Sequence, residues 1–168
     1  MARDPSEADL AALITQPVGP DADNGPGPRA ENKPHACDVL IADDMGPSRE
    51  LVAAILRKFV GGDLNIVQAR NGTEALALWQ QHHPRITLLD IDMPGMDGLD
   101  TLKLIRQWRP DAFVAMITGG PSADNVRRAL ELGAAGFVIK PFTPQRIVDL
   151  LRRYREVSGH DLLDRTHP

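Results

Sequence analysis

Residues 86–108 read ITLLDIDMPGMDGLDTLKLIRQW and contain one complete strand-and-helix unit. The unit begins with four residues that are almost all apolar and do not alternate with polar ones. Such a run is typical of a strand that is covered on both faces of a parallel sheet. Asp90 follows the run directly, and after a short loop the apolar residues recur at helical spacing until Pro110 stops the pattern. The stretch therefore predicts a strand, an acidic loop and an amphipathic helix.

The same unit recurs five times between residue 38 and residue 158. The apolar runs are Val39–Ala42, Leu64–Ala69, Ile86–Leu89, Ala112–Ile117 and Gly136–Ile139. Five βα units joined by right-handed crossovers predict an α/β three-layer sandwich around a five-stranded parallel sheet. In the first helix, which is predicted to begin at Pro47 or Ser48, the expected buried stripe is Leu51, Ile55, Leu56 and Phe59.

Polar side chains stand where four of these runs end. Asp43 and Asp44 end the first run, Asp90 the third, Thr118 the fourth and Lys140 the fifth. Because parallel strands end at one common edge of a sheet, we expect these side chains to lie together. That edge is where open α/β sheets bind ligands.

Three carboxylates at one place indicate a hard cation. Two unit charges 4 Å apart repel by about 4 kcal/mol at an effective dielectric constant of 20. Mg²⁺ relieves such repulsion, and it is commonly held by one or two carboxylates together with water and phosphate oxygens. We therefore expect Asp43, Asp44 and Asp90 to bind Mg²⁺ while Asp90 attacks a phosphorus atom. Lys140 would then stabilise charge on the transferred group.

Four stretches of the sequence resemble the receiver domain of two-component response regulators. They are Val39–Asp44, Leu88–Gly98, Met116–Gly119 and Phe137–Phe142. The resemblance covers roughly residues 37–155, and its motifs are specific as a set. It implies the flavodoxin-like receiver fold with strand order 2-1-3-4-5, as in stand-alone chemotaxis regulators.

The resemblance also implies a role for each acidic residue. Asp90 would be the phosphoacceptor, receiving its phosphoryl group from a sensor histidine kinase or a histidine phosphotransfer protein. Asp44 would ligate Mg²⁺ directly, Asp43 through water, and the backbone carbonyl of Asp92 would be a further ligand. Mn²⁺ is expected to substitute for Mg²⁺.

A switch is implied by the residues around the phosphoryl group. Thr118 and Lys140 would contact that group, Gly119 would lie in the pocket loop, and the Lys140–Pro141 bond would be cis. Phe137 would turn inward when Thr118 moves, or else remain a fixed core residue. The face formed by the fourth helix, fifth strand and fifth helix would then bind an unknown downstream protein.

The remaining parts of the chain are predicted to be extensions. Residues 1–36 are rich in proline and glycine and predict a flexible N-terminal extension, with a short helix at 6–16 that either docks or frays. The receiver domain is expected over 37–157 and a C-terminal tail over 158–168, frayed from Gly159. No fused output domain is expected.

Composition excludes several classes of protein. The formal charge of −4 and the pI near 5.7 give no support to direct DNA binding. No apolar stretch approaches the roughly 20 residues that span a bilayer, and no secretory signal is present. Cys37 is the only cysteine, which favours a reducing compartment. These features predict a cytoplasmic protein without membrane contact.

The sequence thus predicts a single-domain response regulator, which is not an enzyme beyond self-catalysed phosphoryl transfer and autodephosphorylation. Output by docking and output by phosphorelay both remain open. One alternative is a haloacid-dehalogenase-like phosphatase, because Asp90-Ile91-Asp92 imitates the Asp-x-Asp motif of that family. Against it, the acidic pair precedes Asp90 and no cap is encoded. Another alternative is a pseudo-receiver that binds partners without phosphorylation.

Overall fold

The computed structural model describes residues 35–61 and 63–163. Its elements are β1 (Val39–Ala42), α1 (Gly46–Val60), β2 (Ile66–Ala69), α2 (Gly72–His82), β3 (Ile86–Leu89), α3 (Gly98–Trp108), β4 (Phe113–Thr118), α4 (Ala123–Glu131), β5 (Gly136–Ile139) and α5 (Pro144–Ser158). The helix predicted at 6–16 lies outside the described residues. Among the helices that are described, none is long and apolar enough to cross a membrane.

The five strands form one parallel sheet in the order β2-β1-β3-β4-β5, so the predicted fold and strand order are confirmed. The central strand β3 pairs with β1 on one side and with β4 on the other, and all four of its residues are buried. Three strand boundaries differ from the prediction, one in β2 and both in β4, which begins at Phe113 rather than Ala112. β2 begins at Ile66, because Leu64 is buried without pairing in the sheet, and β4 includes Thr118 as its last residue.

The helices cover both faces of the sheet. One core cluster packs the odd-numbered side of β1 against α1 and α5, with Val39, Ile41 and Ile147 among its members. The other cluster packs Leu40 and Met116 against α2, α3 and α4. This sandwich buries the strands on both faces, as their unbroken apolar runs predicted.

The predicted buried stripe of α1 is partly wrong. Leu51 is 53% exposed and Phe59 39% exposed, whereas Val52 and Val60 are buried with Ile55 and Leu56. Two i, i+4 rows of apolar residues run side by side on this helix, and hydrophobicity alone did not distinguish them. The row with the branched valines faces the sheet.

The C-terminal tail packs further than predicted. Leu162 is only 3% exposed and belongs to the same cluster as α5, and Arg155 donates to Asp161 at 3.1 Å. The chain turns at Gly159, which has φ of +72° and closes α5 by donating to the carbonyl of Arg155. Residues 159–163 are therefore not frayed as predicted, because the two adjacent leucines, Leu162 and Leu163, give no periodic signal although both pack against this cluster.

The first residue of α3 lies against the loop that follows β3. A Cβ atom on Gly98 would come within 2.1 Å of the carbonyl oxygen of Asp90. Asp97 caps the same helix, because its side chain accepts from the amide of Asp100 at 2.8 Å. The start of α3 thereby fixes the backbone that carries Asp90.

Candidate functional site

Three carboxylates meet at the carboxyl edge of the sheet. Asp43 and Asp90 are 3% and 5% exposed, while Asp44 is exposed. Each offers one oxygen atom, and these three atoms lie within 4.8 Å of one another. The predicted convergence is confirmed, since β1 and β3 are neighbours and end at the same level.

Lys140 reaches across the sheet into this cluster. Its Nζ lies 2.6 Å from Asp43 Oδ2 and 2.9 Å from Asp90 Oδ2, so that one ammonium donates to both buried carboxylates. The bond between Lys140 and Pro141 is cis, as the family resemblance predicted. The cluster therefore combines three carboxylates with one ammonium group; Asp43 and Asp90 are buried, Lys140 is partly buried and Asp44 is exposed.

Asp43 is held by three further contacts. Ser48 Oγ donates to Asp43 Oδ2 at 2.6 Å, and the amide of Met45 donates to Oδ1 at 2.8 Å. Arg49 Nη1 donates to the backbone oxygen of Asp43 at 2.7 Å. Sequence reasoning missed these roles of Ser48 and Arg49. Their position in the first turn of α1, which begins two residues after Asp44, was the signal that could have indicated contacts with the acidic pair.

Thr118 and Asp92 contact each other beside the cluster. Thr118 is fully buried, and its hydroxyl donates to Asp92 Oδ2 over a long distance of 3.4 Å. The amide of Asp92 donates to Asp90 Oδ1 at 3.1 Å. Gly119 lies next to the Lys140 side chain, where a Cβ atom would make ordinary contact at 3.9 Å.

Phe137 lies apart from these residues. It is buried in the core cluster beneath α3 and α4, and the described contacts of the carboxylate cluster do not include it.

The charges shift the acidity of two groups. Burial raises the pKa of Asp90, and the hydrogen bond and charge of Lys140 oppose this increase only in part. Burial alone would lower the pKa of Lys140, but its contacts with Asp43 and Asp90 outweigh that effect and raise it. Lys140 is therefore firmly protonated, whereas ionised Asp90 costs folding free energy.

This shift predicts a pH-dependent gain in stability on substituting Asp90 with Asn. Because folding raises the pKa of Asp90 above its ordinary 3.8, the carboxyl group favours folding most below that pH and progressively less as pH rises. Asp90→Asn should therefore increase the free energy of unfolding at pH 7, and the gain should disappear below about pH 4. Urea unfolding in EDTA at several pH values measures this difference. A pH-independent difference would contradict the interpretation.

The donor set fits a hard divalent cation. Carboxylate oxygens are the ligands that Mg²⁺ prefers, and the triad of Asp43, Asp44 and Asp90 supplies them from two neighbouring loops. The exposed Asp44 leaves one side of the triad open to solvent. The site is thus suitable for Mg²⁺, as it is in receiver domains.

Comparison with known proteins identifies the family. The family profile for the response regulator receiver domain matches residues 39–152. Chemotaxis protein CheY of Thermotoga maritima is 34% identical over 115 residues, which cover 68% of this chain and 94% of that protein. The chain therefore belongs to the receiver domains of response regulators, which act in two-component signalling.

Two further relatives extend the comparison. The probable C4-dicarboxylate response regulator DctR of Priestia megaterium is 36% identical over 120 residues, or 70% of this chain, and the match spans only 50% of DctR. A chain of the solved CheX–CheY–BeF3–Mg²⁺ complex from Borrelia burgdorferi has a TM-score of 0.63 and 30% identity, covering 73% of this chain and 89% of that chain.

Family membership decides between two readings of Asp90-Ile91-Asp92. A receiver domain is typically a phosphoacceptor switch rather than an enzyme, and it implies a histidine kinase as partner. The haloacid-dehalogenase-like phosphatase is therefore not supported.

Proposed function

We propose that this chain is a response regulator that is switched by phosphorylation of Asp90. The observation that carries the proposal is the bridge from Lys140 Nζ to Asp43 and Asp90, at the edge where Asp44 also arrives. A partly buried ammonium between two carboxylates is already placed to contact a phosphoryl group bound to one of them. The family relationship supports the same role.

The proposed reaction is a transfer between two covalent carriers. An oxygen of the Asp90 carboxylate attacks the phosphorus atom of a phosphohistidine on a sensor kinase or phosphotransfer protein. The P–O bond forms as the P–N bond breaks, the nitrogen keeps the bonding electrons, and the product is an acyl phosphate. In the proposed arrangement Asp44, Asp90 and the carbonyl of Asp92 hold Mg²⁺, or Mn²⁺ in its place, and Asp43 helps through water. The bound cation supplies positive charge against the transferred oxygens.

Two side chains respond to the new group. Lys140 gives up its hydrogen bond to the Asp90 carboxylate and donates instead to a phosphoryl oxygen. Thr118 gives up its long hydrogen bond to Asp92 and donates to another phosphoryl oxygen. This movement changes the space next to Phe137, so the surface formed by α4, β5 and α5 carries the output. Docking of a partner and onward phosphorelay both use this arrangement.

We assign the receiver to residues 37–157, with flanking segments at 1–36 and 158–168. The match to CheY of Thermotoga maritima covers 94% of that relative, so the matched residues correspond to nearly the whole length of a receiver protein. The acidic chain gives no support to a nucleic-acid target.

The proposal is tested by incubating the full chain with acetyl phosphate and recording its intact mass. We expect one phosphoryl adduct in Mg²⁺ and none in EDTA. A phosphohistidine protein serves as a second donor under the same conditions. If neither donor gives an adduct with a folded protein, the pseudo-receiver becomes the correct description.

Asp92→Asn should lengthen the lifetime of the acyl phosphate several-fold. The Asp92 carboxylate is exposed, it adjoins Asp90 through its own amide, and it contacts Thr118. It can therefore accept a proton from the water that attacks the phosphorus atom, whereas an amide accepts far less readily. The decay of the adduct after donor removal measures the lifetime. Asp100→Asn, an equivalent exposed change on α3, should leave the lifetime unaltered; an equal lifetime in Asp92→Asn would rule out this role.

A further inference from the structure

A cleft of about 560 Å³ opens at the amino edge of the sheet, opposite the carboxylate cluster. It lies between the C-terminal ends of α3 and α5 and the first residues of β4. Four arginines line it, namely Arg85, Arg106, Arg109 and Arg153. The cleft thus has a local excess of arginine, although the chain as a whole carries a net charge of −4.

Two of these arginines have weakly placed acidic partners. Arg85 Nε lies 3.6 Å from Asp38. Arg109 Nε lies 3.8 Å from Asp111, but the Arg109 side chain is 15% exposed while that of Asp111 is 89% exposed. A partner so open to water compensates little of the charge on a side chain that is mostly buried.

Arg106 is held in place by the turn after α4. Gly133 has φ of +87°, and a Cβ atom there would come within 2.7 Å of Arg106 Nη2. The guanidinium therefore lies flat over a residue that has no side chain, and its Nη1 donates to the carbonyl of Ala112 at 3.2 Å. Burial lowers the pKa of Arg106, and the charge of Asp111 opposes this decrease only in part.

Arg153 provides an independent observation. Its Nε is buried and has no acceptor among residues 35–61 and 63–163. A buried donor without a partner costs free energy, and this one belongs to a side chain that lines the cleft. A rotation of this side chain that brought its guanidinium onto an acceptor of a bound ligand would remove that cost.

The floor of the cleft is apolar. Phe113 and Tyr154 meet edge to face with ring centroids 5.2 Å apart, and both rings are buried. Rigid aromatic packing beneath a set of charged side chains is the usual composition of a small-molecule site. The volume also falls in the range of such sites.

We infer that this cleft binds a small molecule that carries two or more phosphate groups, of the size of a nucleoside diphosphate. A guanidinium group can donate two parallel hydrogen bonds to a pair of phosphate oxygens. It is also more weakly hydrated than an ammonium group, so a partly buried arginine loses less hydration when it binds phosphate. A single carboxylate carries one negative charge and would engage one guanidinium group, whereas a diphosphate offers several charged oxygens to neighbouring arginines. The site is separate from Asp90, and it does not depend on the proposed phosphorylation.

The test is calorimetric titration of the full chain with pyrophosphate and with ADP, in EDTA so that a metal does not recruit either anion to Asp90. We expect binding at one site, with amide NMR shifts at Ala134 and Ala135 and none at Lys140. Arg153→Gln and Arg106→Gln should each weaken binding at least about tenfold. Arg127→Gln, an equal change of charge on the exposed face of α4, should bind as the wild type does.

Three results would overturn the inference. They are no binding of either anion by the folded wild type, unchanged affinity in both cleft variants, and binding of a polyglutamate peptide without binding of pyrophosphate or ADP. The last result would identify the cleft as a protein-docking surface. Circular dichroism confirms the folding of each variant, and Arg85→Gln replaces any cleft variant that does not fold.

Discussion

Asp90→Asn should abolish the phosphoryl adduct that forms with acetyl phosphate and Mg²⁺. The amide nitrogen and oxygen of asparagine fill the same space as the carboxylate, but neither is a nucleophile for phosphorus at neutral pH. Asp90 also contributes a carboxylate oxygen to the triad and accepts a hydrogen bond from Lys140, as Asp43 does. We therefore expect loss of the adduct to below detection, measured by intact mass.

Asp92→Asn is the matched control for this experiment. It makes the same chemical change two residues further along the same loop and should still yield one adduct. Persistence of the adduct in Asp90→Asn would contradict the assignment and would move the nucleophile to Asp43 or Asp44. Peptide mapping of the trapped adduct then locates the modified residue.

Gly98→Ala should destabilise the protein by about 3 kcal/mol or more. The added Cβ atom would lie 2.1 Å from the Asp90 carbonyl oxygen and 2.9 Å from Ile91 Cα. Both are backbone atoms, so the overlap is relieved only by moving α3 away from the loop. The same movement displaces Asp90, and the rate of phosphorylation should fall together with stability.

Gly46→Ala tests whether the effect is specific to that contact. Gly46 is also the first residue of its helix, but its added Cβ atom would meet only Arg49 Nη2 at 3.7 Å. Its stability should remain within about 0.5 kcal/mol of the wild type. Urea unfolding measures both variants. Because alanine has a higher helix propensity than glycine, helix propensity alone would stabilise both, and equal losses in the two variants would contradict the close approach at Gly98 as the cause.

The sheet and its acidic edge could be predicted because their signals are local. The strands are short, mainly apolar runs, and the predicted site residues stand at the ends of four of them, so the common edge follows from the chain itself. The order of the strands came from the family resemblance. Periodicity alone did not order them.

Other features depend on packing that no single stretch of sequence reveals. Leu51 and Val52 are both apolar, and only the docked helix shows that Val52 faces the core. From the sequence, Ser48 is an ordinary residue at the start of a helix, and only the structure shows that its hydroxyl donates to Asp43. The arginines of the cleft come from separate elements, more than 60 residues apart at the extremes, and become neighbours only when the sheet forms.

The contact of Lys140 with Asp43 and Asp90 has a consequence for the metal-free protein. The lysine acts as an internal counter-ion, so that removal of the cation does not leave the two buried carboxylates facing each other unscreened. Metal occupancy should therefore be reversible without unfolding. A cation that binds here must compete with an ammonium group that the chain always carries, and this competition sets an upper limit on how tightly the resting protein retains it.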